Sequence, residues 1–148
     1  MRFTTKTEYG LVCLAYMARH LEKEVVTVKE IAEKEHFSPA YIEKIMQGLR
    51  SANIITSHQG KEGGYSLARK PSEINLKDVI EALEGQTFEV FCEPQTREHI
   101  VCTHYCMCGV SPIWTKTKKL LDDFFGAMTL VNLADEVKVG PGLDVIKV

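Results

Sequence analysis

The chain has 148 residues, of which 45% are hydrophobic and 26% are charged, and its formal net charge is −2. This length suits one compact core, or a small domain with an extension, and no apolar run approaches the roughly 20 residues of a membrane span. With no signal-peptide pattern at the start either, we expect a cytoplasmic protein without a membrane partner. Five cysteines then favour metal, redox or core use over a disulfide scaffold.

The two halves of the chain differ in charge. Residues 1–70 hold eleven Lys and Arg against eight Asp and Glu, whereas residues 71–148 hold seven against twelve. A phosphate-binding surface needs local rather than overall positive charge, and only the first half offers it.

The first 35 residues predict two helices with a short strand between them. Apolar residues at helical spacing indicate a first helix that begins at Thr4 or Thr5, either of which can cap it, and runs to about His20. The β-branched run at residues 25–28 is typical of a small strand. Residues 29–35 then fit a short helix.

A third helix has a sharply marked start. Ser38 is a natural N-cap and Pro39 a natural first residue for a helix over residues 40–51. Its apolar face is Ile42, Ile45, Met46 and Leu49. The other face carries side chains that can reach base edges or phosphates, namely Tyr41, Glu43, Lys44, Gln47 and Arg50.

A β-hairpin is predicted next, with strands over residues 53–57 and 65–67 and a tight turn over residues 58–64. The paired glycines of that turn allow positive φ and close approach to a partner. Its tip offers Gln59, Lys61, Gly63 and Gly64 to a minor groove. Two short helices, a turn and a hairpin together predict a winged helix-turn-helix, a mainly α fold with a small β-wing, and the N-terminal N–H groups after Ser38 suit a phosphate.

The second half is predicted to be helical around an aperiodic loop. Its elements are a helix over residues 76–84 between Asn75 and Gly85, a long helix from a Ser111-Pro112 cap to about Ala127, and a short helix over residues 130–136 capped by Thr129. The apolar side chains of the long helix exceed what a lone surface helix exposes and indicate a dimer seam, namely Leu120, Leu121, Phe124 and Phe125. The expected organisation is a DNA-binding domain (1–85), a cysteine-rich loop (86–110), a dimerisation segment (111–136) and a tail (137–148).

Four cysteines lie within seventeen residues of that loop. Cys92, Cys102, Cys106 and Cys108 are spaced C-x9-C, C-x3-C and C-x-C. Such soft ligands suit zinc or an iron–sulfur cluster equally well, and unliganded thiols remain an open alternative. Cys13, inside the first helix, fits a buried small hydrophobe.

Three segments closely resemble the IscR/NsrR/CymR-type (Rrf) family of bacterial repressors: MRFTTKTEYGLVCL, IAEKEHFSPAYIEKIMQGLRSANII and GKEGGYSLARKPSEINLKDVIEALEG. The resemblance is dense over residues 1–85 and looser beyond. It implies a homodimer that binds a partly palindromic operator in double-stranded DNA. It also implies that Tyr41, Glu43, Lys44 and the wing residue Gln59 meet DNA, with Ala40 where some relatives carry Ser and Gln59 where some carry Arg.

The same resemblance implies a cluster, by analogy with the IscR branch a [2Fe–2S] cluster. Cys102 and Cys108 match the second and third ligand cysteines of the cluster-binding members, and Cys92 resembles the first. The fourth ligand is expected to be Glu8, ahead of His104 and then Cys106. His99 and His36 are weaker candidates, and Ser111 stands where some relatives carry a ligand His.

Three functions stay open on the sequence. The first is a cluster-sensing repressor of iron–sulfur biogenesis or related stress genes. The second is a cluster-free family member that regulates cysteine or sulfur metabolism through a metabolite or protein partner. The third is a small redox or metal enzyme, which is disfavoured because no acid–base set, nucleophile triad or phosphate loop accompanies the cysteines. We therefore expect no enzyme activity and no small-molecule substrate.

Overall fold

The computed structural model describes residues 3–61, 63–90, 92, 102–104 and 107–134. Their elements, in chain order, are α1 (Thr5–Arg19), α2 (Val28–Glu35), α3 (Pro39–Ser51), β1 (Ile55–His58), β2 (Gly64–Leu67), a 3-10 turn (Pro71–Glu73), α4 (Leu76–Glu84), α5 (Ser111–Ala127) and α6 (Leu130–Ala134). The strands form a two-stranded antiparallel sheet in which Ser57 faces Tyr65. The predicted fold class, a mainly helical winged helix-turn-helix, is confirmed.

A single apolar core joins α1 to the helices around it. Leu14 of α1, Ile45 and Leu49 of α3 and Val79 of α4 are all fully buried. Leu130 at the start of α6 is also fully buried in that core. Helix α1 therefore packs against α3, α4 and α6 at once, and it fixes their relative positions.

Side-chain caps start two of the helices, because they satisfy N–H groups that have no partner within the helix. The Thr27 hydroxyl accepts a hydrogen bond from the Glu30 N–H at 3.1 Å. The Asn75 side chain accepts one from the Asp78 N–H at 2.8 Å, as the sequence predicts for α4. Thr4 and Ser38 occupy the N-cap positions of α1 and α3, but their hydroxyls make no cap bond.

The predicted strand over residues 25–28 is wrong. Thr27 caps α2 and Val28 is its first residue, so only Val25 and Val26 of the predicted strand lie outside the helix and its cap. Val26 forms an isolated antiparallel bridge with Tyr65, in which each N–H donates to the other's carbonyl oxygen at 2.8 Å. Gly64 makes this close approach possible, since a Cβ there would lie 2.6 Å from the Val26 carbonyl oxygen. The bridge ties the wing to the helix-turn-helix.

Helix α5 starts one residue earlier than its predicted cap implies. Val110 holds the N-cap position and Ser111 is already helical, so the predicted role of Ser111 as the cap is wrong. With 17 residues α5 is the longest helix described, and no described helix is long and apolar enough to cross a membrane. The N–H of Leu130 donates to the Ile74 carbonyl at 3.0 Å, which returns the chain to the core. Residues 135 and 136 and the tail lie outside the described residues.

Replacement of Gly64 by alanine tests the wing bridge. The added methyl group meets backbone rather than a movable side chain, so Gly64→Ala should lower the free energy of unfolding by about 1–3 kcal/mol. Gly109→Ala is the matched control, because nothing lies within 4 Å of a Cβ there. Urea denaturation of both variants measures the difference, and equal stabilities would show that the bridge is not a tight contact.

Candidate nucleic-acid interface and cysteine loop

Helix α3 presents the polar face that the sequence predicts. Its inner side chains Ile42, Ile45, Met46 and Leu49 are fully buried. Six residues at its start and on its outer face are exposed, namely Ser38, Ala40, Glu43, Lys44, Gln47 and Arg50. The exposed start of the helix offers backbone N–H groups, where the helix dipole favours an anion such as a phosphate.

Tyr41 differs from its predicted neighbours on that face. It is half-buried, and its ring packs edge-to-face against Tyr9 of α1 with the ring centroids 5.6 Å apart. Tyr9 in turn stacks on Phe37, in the turn before α3, with centroids 3.9 Å apart and planes 2° from parallel. This three-ring cluster of Tyr9, Phe37 and Tyr41 fixes the start of α3 against α1. The sequence analysis missed it, although an aromatic residue in each of three adjoining elements is a signal that could have found it.

The wing tip lies at the end of the β1–β2 hairpin. Gln59, Gly60 and Lys61 are exposed, while Glu62 lies outside the described residues. Gly60 has a φ of 132°, in the region that favours glycine, so the tip turns there. Packing within the hairpin also accounts for Gly63, since a Cβ there would lie 2.7 Å from the His58 carbonyl oxygen. The described residues of the tip therefore expose the Gln59 amide and the Lys61 ammonium group.

A carboxylate of α4 holds the start of α1. Oε1 of Glu84 accepts hydrogen bonds from the Thr4 N–H at 3.0 Å and from the hydroxyls of Thr4 and Thr7 at 2.5 Å each. Desolvation raises the pKa of Glu84, but the hydrogen bonds from Thr4 and Thr7 outweigh it and hold that pKa below its ordinary value. We call this arrangement the Glu84 clamp. Sequence patterns within either helix contain no signal for it, since its partners are about 80 positions apart.

Glu8, the predicted fourth cluster ligand, lies in the first turn of α1 directly after the clamped Thr7. Its side chain is exposed, so it is accessible to a ligand or to a second subunit. The clamp thus joins the turn that carries Glu8 to the residue that ends α4, just before the cysteine loop begins.

The start of the cysteine loop is anchored on α5. The Thr87 hydroxyl donates to the Asp122 carboxylate, and the Lys118 ammonium group donates to the Phe88 carbonyl at 3.3 Å. The Phe88 ring lies against Trp114 with centroids 6.0 Å apart. The chain therefore enters the loop at a fixed position beside α5.

Three of the loop cysteines fall within the described residues. Cys92, Cys102 and Cys108 are half-buried, whereas Cys106 and the weaker candidate His99 lie outside the described part of the chain. His104 is exposed, and its carbonyl accepts from the Met107 N–H at 3.0 Å in a turn. Accessible thiols suit a soft metal or cluster in kind. Among the described residues, however, no three His, Cys, Asp or Glu side chains lie close enough together to hold a metal ion.

Cys13, His20 and His36 lie in or at the ends of helices α1 and α2, away from the cysteine loop in the sequence. Cys13 is fully buried, as predicted, and burial, reinforced by Glu35, raises its pKa to about 12. Nδ1 of His20 lies 2.8 Å from the Tyr16 carbonyl oxygen at the end of α1. His36 ends α2 with a φ of 58° and is exposed.

The predicted dimer seam divides into two faces. Phe125 packs on the core of its own chain and meets Phe3 with ring centroids 5.8 Å apart, and Leu121 is half-buried. Leu120 and Phe124 are 69% and 54% exposed, and Ile113 on the same helix is 57% exposed. Such a row of exposed apolar side chains is unusual for an isolated chain.

Comparison with known proteins agrees with this architecture. A family model, Rrf2, described as an iron-dependent transcriptional regulator, matches residues 3–136. Among curated proteins, the chain is 33% identical over 141 residues to protein rrf2 of Nitratidesulfovibrio vulgaris strain Hildenborough, an alignment that covers 95% of this chain and 92% of the relative.

Two solved structures are also similar. The T. potens IscR structure has a TM-score of 0.70 at 26% identity and covers 97% of this chain and 93% of its own. The structure of CymR, the global cysteine regulator of B. subtilis, has a TM-score of 0.69 at 29% identity and covers 90% of this chain and 96% of its own. Both likenesses extend over nearly the whole chain.

The Glu84 clamp predicts a pH dependence of stability. Because the pKa of Glu84 in the folded chain lies below its unfolded value, the clamp contributes fully above the unfolded pKa. That contribution is lost as the pH falls through the folded pKa. Glu84→Gln should therefore lower the free energy of unfolding by about 1 kcal/mol near pH 7, because the amide oxygen still accepts hydrogen bonds but lacks the charge that strengthens them, and by progressively less in acid.

Urea denaturation of the wild type and Glu84→Gln at several pH values measures this difference. Glu81→Gln is the control, since Glu81 lies one turn earlier on α4 and its side chain pairs instead with Lys77 at 3.8 Å. A stability difference for Glu84→Gln that does not change with pH would contradict the assigned role of the carboxylate.

Proposed function

Since this chain belongs to the Rrf2 family of transcriptional regulators, which bind DNA and are not enzymes, we propose that it represses transcription as a homodimer on a palindromic operator. One observation supports this most strongly. The exposed polar face of α3 and the exposed wing tip belong to one packed unit, in which the three-ring cluster joins α3 to α1 and the Val26–Tyr65 bridge joins the wing to the segment before α2. This arrangement suits a major-groove helix beside a minor-groove wing.

We assign the DNA contacts by chemistry. Lys44 and Gln47 reach base edges or phosphates from α3, Ser38 and Ala40 let a phosphate approach the helix start, and Gln59 and Lys61 enter the minor groove. Tyr41 contributes its hydroxyl edge only, because its ring is engaged with Tyr9. Gly63 and Gly64 shape the wing and add no side chain of their own.

Glu43 has a separate role in this proposal. Its exposed carboxylate repels phosphate oxygens and the acceptor edge of guanine, and it accepts from the amino group of cytosine. It therefore selects between operators instead of raising affinity for all DNA.

The exposed apolar row of α5 supports the proposal that two chains dimerise through this helix. Ile113, Leu120 and Phe124 would be covered by the same residues of a second copy, which is how a two-fold interface forms. Two recognition helices related by that two-fold axis match two operator half-sites.

The proposed signal is an iron–sulfur cluster of the [2Fe–2S] type. Cys92, Cys102 and Cys108 are its assigned thiolate ligands, and Glu8 is the fourth, ahead of His104 and Cys106. The description of the family as iron-dependent and the likeness to an IscR support this assignment. When bound, such a cluster supplies a charge and a covalent tie that change with redox state and iron supply, which suits a sensor.

A second candidate is a cluster-free regulator of cysteine or sulfur metabolism. The likeness to a protein named as a global cysteine regulator favours it, at 29% identity compared with 26% for the IscR. The two candidates share the DNA-binding proposal and differ only in the role of the loop cysteines.

The DNA-binding proposal is tested with Lys44→Ala. Using a duplex selected by the protein from a random library, fluorescence anisotropy should show about a tenfold loss of affinity and a salt-dependence slope smaller by about one. Lys119→Ala is the control, because Lys119 is also exposed but lies on α5 and pairs with Asp123. Equal affinities for the two variants, or no sequence preference in the selected library, would exclude α3 as the reading helix.

The cluster assignment is tested by colour. Protein purified without oxygen should absorb visible light, and Cys92→Ala, Cys102→Ala and Cys108→Ala should each abolish that absorption. Cys13→Ala should keep it, because a buried thiol with a pKa of about 12 is not available as a thiolate. Colourless wild-type protein that still binds its operator would establish the cluster-free alternative.

A further inference from the structure

A cleft lies at the base of the wing, between β2 and the turn that follows α1, and we call it the wing cleft. Its cavity measures about 570 Å³, a size within the usual range of small-molecule pockets. Met17 and Val26 line it and are buried, whereas Leu21 lines it with a side chain that is 60% exposed. The cleft therefore offers an apolar surface to a small ligand.

The charged groups around the wing cleft are mainly cationic. Lys23, Arg69 and Lys70 line it together with the imidazole of His20, against one carboxylate among its described residues, that of Glu73. This carboxylate is already engaged, because its Oε2 accepts the Lys70 backbone N–H at 3.4 Å in the 3-10 turn. The cleft therefore favours an anion over a cation or a neutral ligand.

Carboxylates outside the cleft hold two of these cations in place. Oε1 of Glu30 binds the Lys23 ammonium group and also accepts from the Tyr16 hydroxyl at 2.6 Å. Nη2 of Arg69 lies 3.7 Å from Oδ2 of Asp78. Neither Glu30 nor Asp78 is among the residues that line the cleft. An ammonium group has three N–H donors and a guanidinium group has five, so both cations keep donors for a ligand.

The backbone of β2 adds one more donor. The N–H of Tyr65 donates to the Val26 carbonyl, so it points away from β1, and backbone groups of an antiparallel strand alternate between its two sides. The N–H of Leu67 therefore points to the same side as that of Tyr65, and Leu67 lines the cleft. None of the described residues accepts a hydrogen bond from the Leu67 N–H there. A carboxylate or phosphate oxygen suits such an N–H beside a cation.

We propose that the wing cleft binds a small organic anion, whose carboxylate or phosphate group meets the cations and the Leu67 N–H and whose apolar part lies on Leu21. Charge-assisted hydrogen bonds supply the strength, and the apolar surface selects against bare inorganic ions. Such a ligand contacts the end of α1 and the strand β2 at once, which suits the cluster-free candidate regulated by a metabolite. That regulatory meaning rests on the DNA-binding function proposed above, whereas binding of the anion does not.

Phenyl phosphate is a suitable probe, because it joins one anionic group to one apolar ring. Added to the full chain, it should shift the Leu67 amide resonance in a saturable way, with a Kd on the order of 1 mM for so small a ligand. Phenol, its neutral counterpart, should bind at least about tenfold more weakly because it lacks the charge. Equal binding of the two compounds, or no saturable shift, would overturn the proposal.

Two variants of one exposed residue test whether the anion lies in the cleft. Leu21→Glu and Leu21→Gln both remove the apolar contact, and only the first adds a negative charge. Leu21→Glu should therefore bind phenyl phosphate at least about tenfold more weakly than Leu21→Gln. Equal affinities of the two variants would place the anion elsewhere and would overturn the proposal.

A phosphate of the DNA backbone is the other source of the same chemistry. Without the probe, the two Leu21 variants should bind the selected duplex with the same affinity. An affinity lower by about tenfold for Leu21→Glu would show that the cleft holds a DNA phosphate, which would overturn the assignment to a small anion. Because duplex affinity and probe affinity are measured separately, failure of the anion site and failure of DNA binding are distinguishable.

Discussion

One carboxylate holds the start of helix α1, and helices α3, α4 and α6 pack on α1. Glu84 accepts three hydrogen bonds from Thr4 and Thr7, which satisfies the start of the helix and places a negative charge at its positive end. From there α1 contributes Tyr9 to the start of α3, a buried face to the core and Arg19 to α6. The helix proposed to read DNA, the core and α6 thus all contact α1.

The Glu84 clamp and α1 lie between the two regions that have roles in the proposed function, namely the cysteine loop and α3. Glu8 follows Thr7, which bonds to Glu84, and the cysteine loop follows Glu84. A cluster bound by Glu8 or by the loop cysteines would therefore act on the Glu84 clamp. Tyr9, the residue after Glu8, continues directly to Phe37 and Tyr41 at the start of α3. Three packed rings therefore connect the residue after the proposed cluster ligand to the start of the helix proposed to read DNA.

Local chemistry explains which parts of the fold could be predicted. Helical spacing, the Ser38-Pro39 start, the Asn75 cap and the glycine turn all act within a few residues, and the corresponding elements appear where expected. The predicted strand over residues 25–28 did not form because Thr27 caps α2, which outweighs the strand preference of the valines. Only Val26 pairs, in a single bridge. Ser111 was mispredicted because a helix starting at Pro112 can extend back by one residue.

The candidate site was only partly predictable for a related reason. The exposed face of α3 follows from its period, but the half-burial of Tyr41 depends on a ring 32 positions away, and the Glu84 clamp on partners about 80 positions away. The glycines of the wing tip suggested room for DNA. At Gly63 and Gly64, however, a Cβ would lie too close to carbonyl oxygens of the chain itself. Contacts between side chains so far apart in the sequence are set by packing, and no periodic pattern of the sequence indicates them.

The proposed cluster and the proposed reading helix α3 should be coupled, so that occupancy of the cysteine loop changes the affinity for DNA. The direct measurement is the affinity of one anaerobic preparation for its selected duplex, taken with the cluster present and again after the cluster is removed. The account predicts affinities that differ by at least about tenfold, a coupling of about 1.4 kcal/mol between the two sites. The same affinity in both states would contradict it, because the loop and the reading helix would then be independent.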